Sequence, residues 1–110
     1  MNNQARVIIA GDLFPVPANM ESFSNGDVKT LFGDMLCQMF AEADLTICNM
    51  EGALTDRPEC CKKIGPVLTM PTTVIEGYKK LGVDACMLAN NHITDGGQHG
   101  VEDTSMLLSK

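Results

Sequence analysis

The chain alternates short apolar runs with longer segments in which apolar residues recur at helical spacing. The apolar runs cover residues 6–10, 45–48 and 83–89, and each gives way to polar or glycine residues. Nearly continuous apolar runs of this length are typical of strands buried in a parallel sheet. The sequence therefore predicts three buried strands.

The first segment of helical spacing lies between the first two strands. Apolar residues recur every three or four positions from Val28 to Ala43. This pattern predicts an amphipathic helix of about four turns, with Asp27 as its N-cap and a methionine-rich stripe facing the core. Residues 13–25, which contain two prolines, are predicted to form a loop.

Two further helices are predicted after the second strand. Thr73 and Glu76 have the spacing of a capping box, and Gly82 supplies the matching C-terminal stop. Asp95 is a candidate N-cap for a last helix that ends near residue 108. Residues 53–71 contain several prolines and glycines and are predicted to be irregular.

The resulting order is β-α-β-α-β-α, which predicts an α/β fold with parallel strands and both faces of the sheet covered. With 110 residues, the chain is expected to form one domain. Three strands make a small sheet, so residues 1–110 are expected to be the first part of a larger domain. An uncovered sheet face would then favour self-association.

Each predicted strand ends in a polar motif. The motifs are Gly11-Asp12, Asn49-x-Glu51-Gly52 and Asn90-Asn91-His92-x-x-Asp95. Because the carboxyl ends of parallel strands lie at one edge of a sheet, these side chains are expected to converge there. Asp12, Glu51 and Asn91 could then supply oxygen ligands to one or two divalent metals, for which Mn²⁺, Mg²⁺ and Zn²⁺ are all candidates. His92 and Asp95 are candidate catalytic residues beside it.

Each motif also has a purely structural interpretation. A Gly-Asp pair after a strand is common in turns, Asn49 and Glu51 could be loop residues, and Asp95 could simply cap a helix. Consecutive bulky polar residues such as Asn90-Asn91-His92 suit few structural needs at a strand end. His99 is expected to be an exposed helical residue without a role.

Charge and cysteine content narrow the class of protein. The net charge is −6 and no basic run is present, which argues against nucleic-acid binding. Five cysteines without a regular spacing argue against a disulfide framework. Cys48 and Cys86 lie in apolar runs and are expected in the core, whereas the adjacent Cys60 and Cys61 lack the spacing of a zinc site.

Signals for membrane insertion or export are not evident in the sequence. The N-terminal residues lack the basic-then-apolar pattern of a signal peptide. No apolar run approaches the ~20 residues that span a bilayer. The sequence predicts no transmembrane segment and leaves the compartment open.

The strand-end motifs together resemble the bacterial capsule biosynthesis family CapA. The resemblance rests on Gly11-Asp12, on residues 43–55 with Asn49-Met50-Glu51-Gly52, and on residues 81–100 with Asn90-Asn91-His92-x-x-Asp95-x-Gly97. It covers nearly all of this chain but only about the first third of a family member. It implies a role in poly-γ-glutamate or other cell-envelope polymer metabolism, and a fold like the N-terminal part of the calcineurin-like metallophosphoesterase sandwich.

The resemblance also implies roles for individual residues. Asp12 matches the first metal-binding aspartate, and Glu51 with Asn49 stands where the phosphoesterases place a bridging aspartate. Asn91 and His92 match an Asn-His pair in which Asn binds metal and His assists the transition state. Phe14 occupies a position where the phosphoesterases have a metal-binding histidine, and their downstream histidine motifs are not in this sequence.

Three hypotheses follow. The first is a CapA-like, metal-dependent hydrolase that acts on a polyanionic polymer or a phosphorylated substrate. The second is a non-catalytic binding or assembly module that keeps the scaffold without a complete active site. The third, a nucleotide-binding α/β domain, ranks last because the chain has neither G-x-G-x-x-G nor a P-loop.

Overall fold

A parallel three-stranded sheet organises the chain. The computed structural model describes residues 3–110, and the sheet comprises β1 (Val7–Asp12), β2 (Leu45–Asn49) and β5 (Ala85–Met87). The spatial order is β1-β2-β5, with both neighbouring pairs parallel. The predicted α/β class and the parallel arrangement are confirmed. The third strand is shorter at both ends than the predicted residues 83–89, and just before it the Asp84 side chain accepts a hydrogen bond from the Thr46 N–H at 2.8 Å.

Helices connect the strands, and a second, smaller sheet lies beside them. The helices are α1 (Met20–Ser24), α2 (Val28–Ala41), a 3₁₀ turn (Thr72–Val74), α3 (Ile75–Leu81) and α4 (Gly97–Leu108). The small sheet pairs β3 (Ala53–Leu54) with β4 (Thr69–Met70) in parallel. The predicted loop at 13–25 and the predicted irregular stretch at 53–71 were wrong where they contain α1, β3 and β4. A five-residue helix and two-residue strands are too short to produce a readable period.

The core lies on one side of the main sheet. Phe23 of α1 and Tyr78 of α3 pack together with ring centroids 5.8 Å apart, and Phe32 meets Phe23 edge-on. Cys48 and Met50 contribute from β2 and the residue just after it. Burial of these side chains is the main stabilising contribution available to a chain of this size.

The opposite face of the sheet is largely bare. Residues in register on parallel strands point to the same side, and Val7 is in register with Leu45. Val7 is 50% exposed and Ile9 74% exposed, whereas Thr46 and Cys48 on the other face are buried. Within residues 3–110, the helices that pack on the sheet cover only the Cys48 face, so the uncovered sheet face that the sequence led us to expect is present here.

Helix α2 is broken near its middle. Asp27 caps it as predicted, accepting a hydrogen bond from the Thr30 N–H. Gly33 has φ 79° and ψ 165°, a non-helical conformation that a glycine adopts readily. The break separates Leu31 and Phe32, which pack against the core, from Met35 and the apolar residues after it. The methionine stripe was predicted to face the core, but Met35, Leu36 and Met39 are exposed.

The ends of α3 agree with the sequence only in part. Gly82 adopts a left-handed conformation and ends the helix, as predicted. The predicted capping box was wrong, because the Thr73 hydroxyl instead bonds to the Ser24 hydroxyl at 3.0 Å. This contact joins the start of the α3 region to α1. Among residues 3–110, no helix has the length and apolar character required to cross a membrane.

Candidate functional site

The ends of β1 and β2 bring the first two predicted site residues into contact. Asp12 and Asn49 are register partners, after an irregularity between Ile9 and Asp12. The Asn49 side-chain amide donates to the Asp12 carboxylate at 2.7 Å. Two of the predicted metal ligands therefore meet at the carboxyl edge of the sheet.

Asn90 extends this contact to the end of the third strand. Its side-chain amide donates to Asn49 Oδ1 at 3.1 Å and to the Met50 carbonyl oxygen at 2.9 Å. Its own Oδ1 accepts from the His92 backbone N–H at 3.0 Å. The sequence prediction gave Asn90 no role, although it is the residue that joins the strand ends. Its position directly after the predicted third strand, residues 83–89, was the available signal.

Glu51 and Asn91 lie outside this hydrogen-bonded chain. The Asn91 side chain is exposed and Glu51 is half-buried. Within residues 3–110, no hydrogen bond or ion pair fixes either side chain to Asp12 or Asn49. The structure therefore connects Asp12 with Asn49 and leaves Glu51 and Asn91 nearby in sequence but unattached to them.

His92 and Asp95 form the second part of the site. His92 Nδ1 lies 2.7 Å from Asp95 Oδ2, and the Asp95 side chain is only 2% exposed. Asp95 also accepts from Lys63 Nζ at 2.8 Å and from the Leu68 backbone N–H at 2.7 Å. Burial raises the pKa of Asp95, but the hydrogen bonds from Lys63, Leu68 and His92 outweigh it and lower that pKa to about 2. Asp95 is therefore ionised near neutral pH, and its carboxylate binds three different groups at once.

The ionised carboxylate determines which way the imidazole points its proton. A carboxylate can only accept, so His92 Nδ1 must carry the proton that it shares with Asp95. Lys63 Nζ also lies 3.2 Å from Nδ1 and balances the charge of Asp95. This arrangement leaves Nε2 as the ring nitrogen that is free to exchange a proton or to bind a ligand.

Asp95 does not cap the last helix. Helix α4 begins after Gly96 without a side-chain cap at that residue. The Glu59 carboxylate instead accepts from the Gln98 N–H at 2.9 Å, within the first turn, and pairs with His99 at 3.1 Å. The alternative in which Asp95 is merely an N-cap is therefore wrong, and the His99 ring has a contact with Glu59 that the sequence did not suggest.

A loop from residue 56 to residue 68 closes over this part of the molecule. Lys63 reaches Asp95, Glu59 reaches the start of α4, and Arg57 forms an ion pair with Asp103 at 2.7 Å. The Arg57 guanidinium, with the Thr55 hydroxyl, lowers the pKa of Asp103 to about 2. Such pairings between distant residues leave no periodic trace in a sequence, so none of them could be predicted.

The donor atoms at this edge are of the type that hard cations prefer. Asp12 and Glu51 offer carboxylates, and the asparagines offer amide oxygens. Within residues 3–110, no group of three or more His, Cys, Asp or Glu side chains is placed to hold a metal ion. Mg²⁺ is commonly held by one or two carboxylates and several waters, which is a smaller set of protein ligands than a closed zinc site requires.

Comparison of the sequence with models of known protein families shows a match to a bacterial family. A family model described as "Bacterial capsule synthesis protein PGA_cap" matches residues 6–110. A search of curated proteins finds no match to the chain. The matched region contains all three strand ends and every candidate site residue named above.

Proposed function

The chain belongs to the bacterial capsule synthesis family PGA_cap, and from this premise we propose that it acts on an anionic cell-envelope polymer such as poly-γ-glutamate. The proposed activity is metal-dependent hydrolysis at the carboxyl edge of the sheet. The observation that carries it is the continuous set of hydrogen bonds from Asp12 through Asn49 and Asn90 to His92. These contacts connect the ends of all three strands in one polar site.

A divalent cation is proposed to lie beside Asp12, with Asn49, Glu51 and Asn91 as the further oxygen donors. When bound, such a cation supplies the Lewis acidity that activates water and polarises a phosphoryl or amide oxygen. The Asn49 amide keeps Asp12 oriented, and Asn90 keeps Asn49 oriented. Because Glu51 and Asn91 have no fixed partner in the described chain, they are free to turn towards a ligand.

His92 is proposed to transfer a proton to or from the substrate. Its Nε2 is the free ring nitrogen, since Nδ1 is engaged by Asp95. Asp95 acts as a positioning residue that fixes the tautomer and the ring orientation. Lys63 neutralises Asp95 and keeps this pair in place under the loop.

The charge of the chain supports the involvement of a cation. The net charge is −6, so a polycarboxylate or a phosphorylated substrate is repelled by the protein as a whole. A bound divalent ion would reverse this repulsion locally. The substrate class and the metal site therefore depend on each other in this proposal.

A second candidate is a non-catalytic module that binds the polymer or assembles with other proteins. The Lys63–Asp95 pair favours it, because a buried carboxylate that binds both Lys63 and the Leu68 backbone is what a structural role for Asp95 requires. In that case the strand-end polar residues would stabilise the loop over residues 56–68 and would not perform chemistry.

One experiment separates the two candidates. The chain is incubated with poly-γ-glutamate and Mn²⁺, and both polymer length and polymer binding are measured for wild type, His92→Ala and His99→Ala. Shortening of the polymer that is lost in His92→Ala and kept in His99→Ala supports hydrolysis. Binding without shortening that survives His92→Ala supports the binding module. A chain that neither binds nor shortens the polymer contradicts both.

A further inference from the structure

Two cysteines face each other inside the main sheet. Cys48 of β2 and Cys86 of β5 are register partners, and their sulfur atoms lie 3.7 Å apart. Neither residue belongs to the strand-end site described above. Their close approach makes them a candidate site of oxidation that does not depend on the proposed function.

The backbone geometry is compatible with a disulfide between them. Neighbouring strands lie ~4.8 Å apart, and disulfides join residues whose Cα atoms are ~4.4–6.8 Å apart. The two side chains already point to the same face of the sheet. The sulfur atoms must approach by less than 2 Å to reach the ~2.05 Å of a bond, a movement within the range of side-chain rotation.

An oxidant can approach one of the two thiols. Cys48 is fully buried, whereas Cys86 is half-buried. Cys86 also lines a cavity of about 680 Å³ between α3 and the end of α4, together with Tyr78 and Leu107. A small oxidant can therefore reach Cys86 first, with Cys48 behind it.

We propose that Cys48 and Cys86 form a redox pair that a peroxide converts into an intramolecular disulfide. The Cys86 thiol is oxidised by hydrogen peroxide to a sulfenic acid, and one water is released. The Cys48 sulfur then attacks the Cys86 sulfur, the S–S bond forms, and the sulfenic oxygen leaves as a second water. Overall the two thiols lose two electrons and two protons, which reduce one peroxide to two waters.

The position of the bond would couple oxidation to the strand-end site. Cys48 directly precedes Asn49, and Cys86 lies four residues before Asn90. These two asparagines are joined by a hydrogen bond at the ends of the same two strands. A disulfide would fix β2 and β5 to each other covalently at this point.

The test uses a variant in which Cys37, Cys60 and Cys61 are replaced by serine, so that only the pair remains. After treatment with hydrogen peroxide and alkylation, trypsin cleaves after Lys29, Lys62 and Lys80 and places the two cysteines in the separate peptides 30–62 and 81–110. The expected result is these two peptides joined in the monomer and separated by reductant. A monomer in which both thiols stay alkylatable, or in which Cys86 accumulates sulfinic acid while Cys48 stays free, overturns the proposal.

Two further measurements guard against misfolding of the variant. Cys48→Ala in the same background must abolish the joined peptides and leave Cys86 as a sulfenic or sulfinic acid. The wild-type chain is also oxidised and digested, and simultaneous loss of alkylation at Cys48 and Cys86 within the monomer is expected. Joined peptides found only in dimers would contradict the proposal.

Discussion

The carboxylate of Asp95 lies 2.7 Å from the imidazole of His92, three residues earlier in the chain. The same carboxylate binds the Lys63 ammonium and the Leu68 backbone N–H. One buried side chain therefore holds the candidate catalytic histidine and the loop over residues 56–68 at the same time. This double role makes Asp95 the best single position for testing how the site is built.

Replacing Asp95 with asparagine should destabilise the chain by roughly 2–4 kcal/mol. The substitution removes a buried charge that accepts three hydrogen bonds and leaves Lys63 without its partner. Urea denaturation followed by circular dichroism measures the loss. Glu42→Gln is the matched control: its ion pair with Arg6 is exposed, so a change within about 0.5 kcal/mol is expected. Equal effects of the two substitutions would show that Asp95 is not a structural hub.

The stability of the chain should fall as the pH is lowered from about 4 to about 2. The pKa of Asp95 in the folded chain is about 2, below its ordinary value of 3.8. A lowered folded-state pKa contributes stability that is complete above the ordinary value and is lost as the pH falls through the folded value. Asp103 contributes in the same direction.

This dependence is measured from denaturation midpoints at a series of pH values. Asp95→Asn should flatten the curve between pH 4 and pH 2, because asparagine does not titrate. A variant curve that remains parallel to the wild-type curve throughout this range would contradict the assignment of the effect to Asp95.

Gly52→Ala should be destabilising by about 1–3 kcal/mol, as expected for overpacking. A Cβ atom at residue 52 would lie 2.7 Å from the Leu68 carbonyl oxygen and would also overlap the Phe14 ring. A backbone atom cannot move aside as a flexible side chain can. Gly11→Ala is the control, since a Cβ there meets nothing within 4 Å. Thermal melting of both variants is the measurement, and equal melting temperatures would contradict the close approach.

The bare face of the sheet should cause self-association. Ile9, which is 74% exposed, lies on this face together with Val7 and Leu45. Contiguous exposed apolar surface favours association in water. Light scattering at rising concentration should show oligomers of the wild-type chain, weakened by Ile9→Thr but not by Ile64→Thr, which changes an exposed residue outside the sheet. A wild-type monomer at high concentration would contradict this expectation.

The parallel sheet could be predicted because residues 6–10, 45–48 and 83–89 form short, nearly continuous apolar runs, which are typical of strands in a parallel sheet. The sequence also predicted the Asp27 cap and the stop at Gly82, which depend on local chemistry alone. The helical stripe after Val28 was misassigned beyond Gly33, because periodicity reports which side chains share a face and not whether another element covers it.

The candidate site likewise contains contacts that could be predicted from the sequence and contacts that could not. The meeting of Asp12 and Asn49 follows from parallel strands and could be predicted. Asn91 was predicted as the metal ligand, whereas its neighbour Asn90 makes the contact with Asn49. Adjacent residues at the end of a strand point to opposite sides, so an error of one residue selects the wrong side chain. Lys63 reaches Asp95 from an irregular loop. The two residues are distant in the sequence, so no local pattern could have predicted that contact.

Isothermal titration of the chain with Mn²⁺ tests the proposed metal site most directly. Wild type is expected to bind, Asp12→Ala and Asn91→Ala to weaken binding at least about tenfold, and Asp34→Ala, which removes an exposed carboxylate of α2, to leave it unchanged. No measurable binding by the wild type, or binding that Asp12→Ala leaves intact, would contradict a cation site at the carboxyl edge of the sheet.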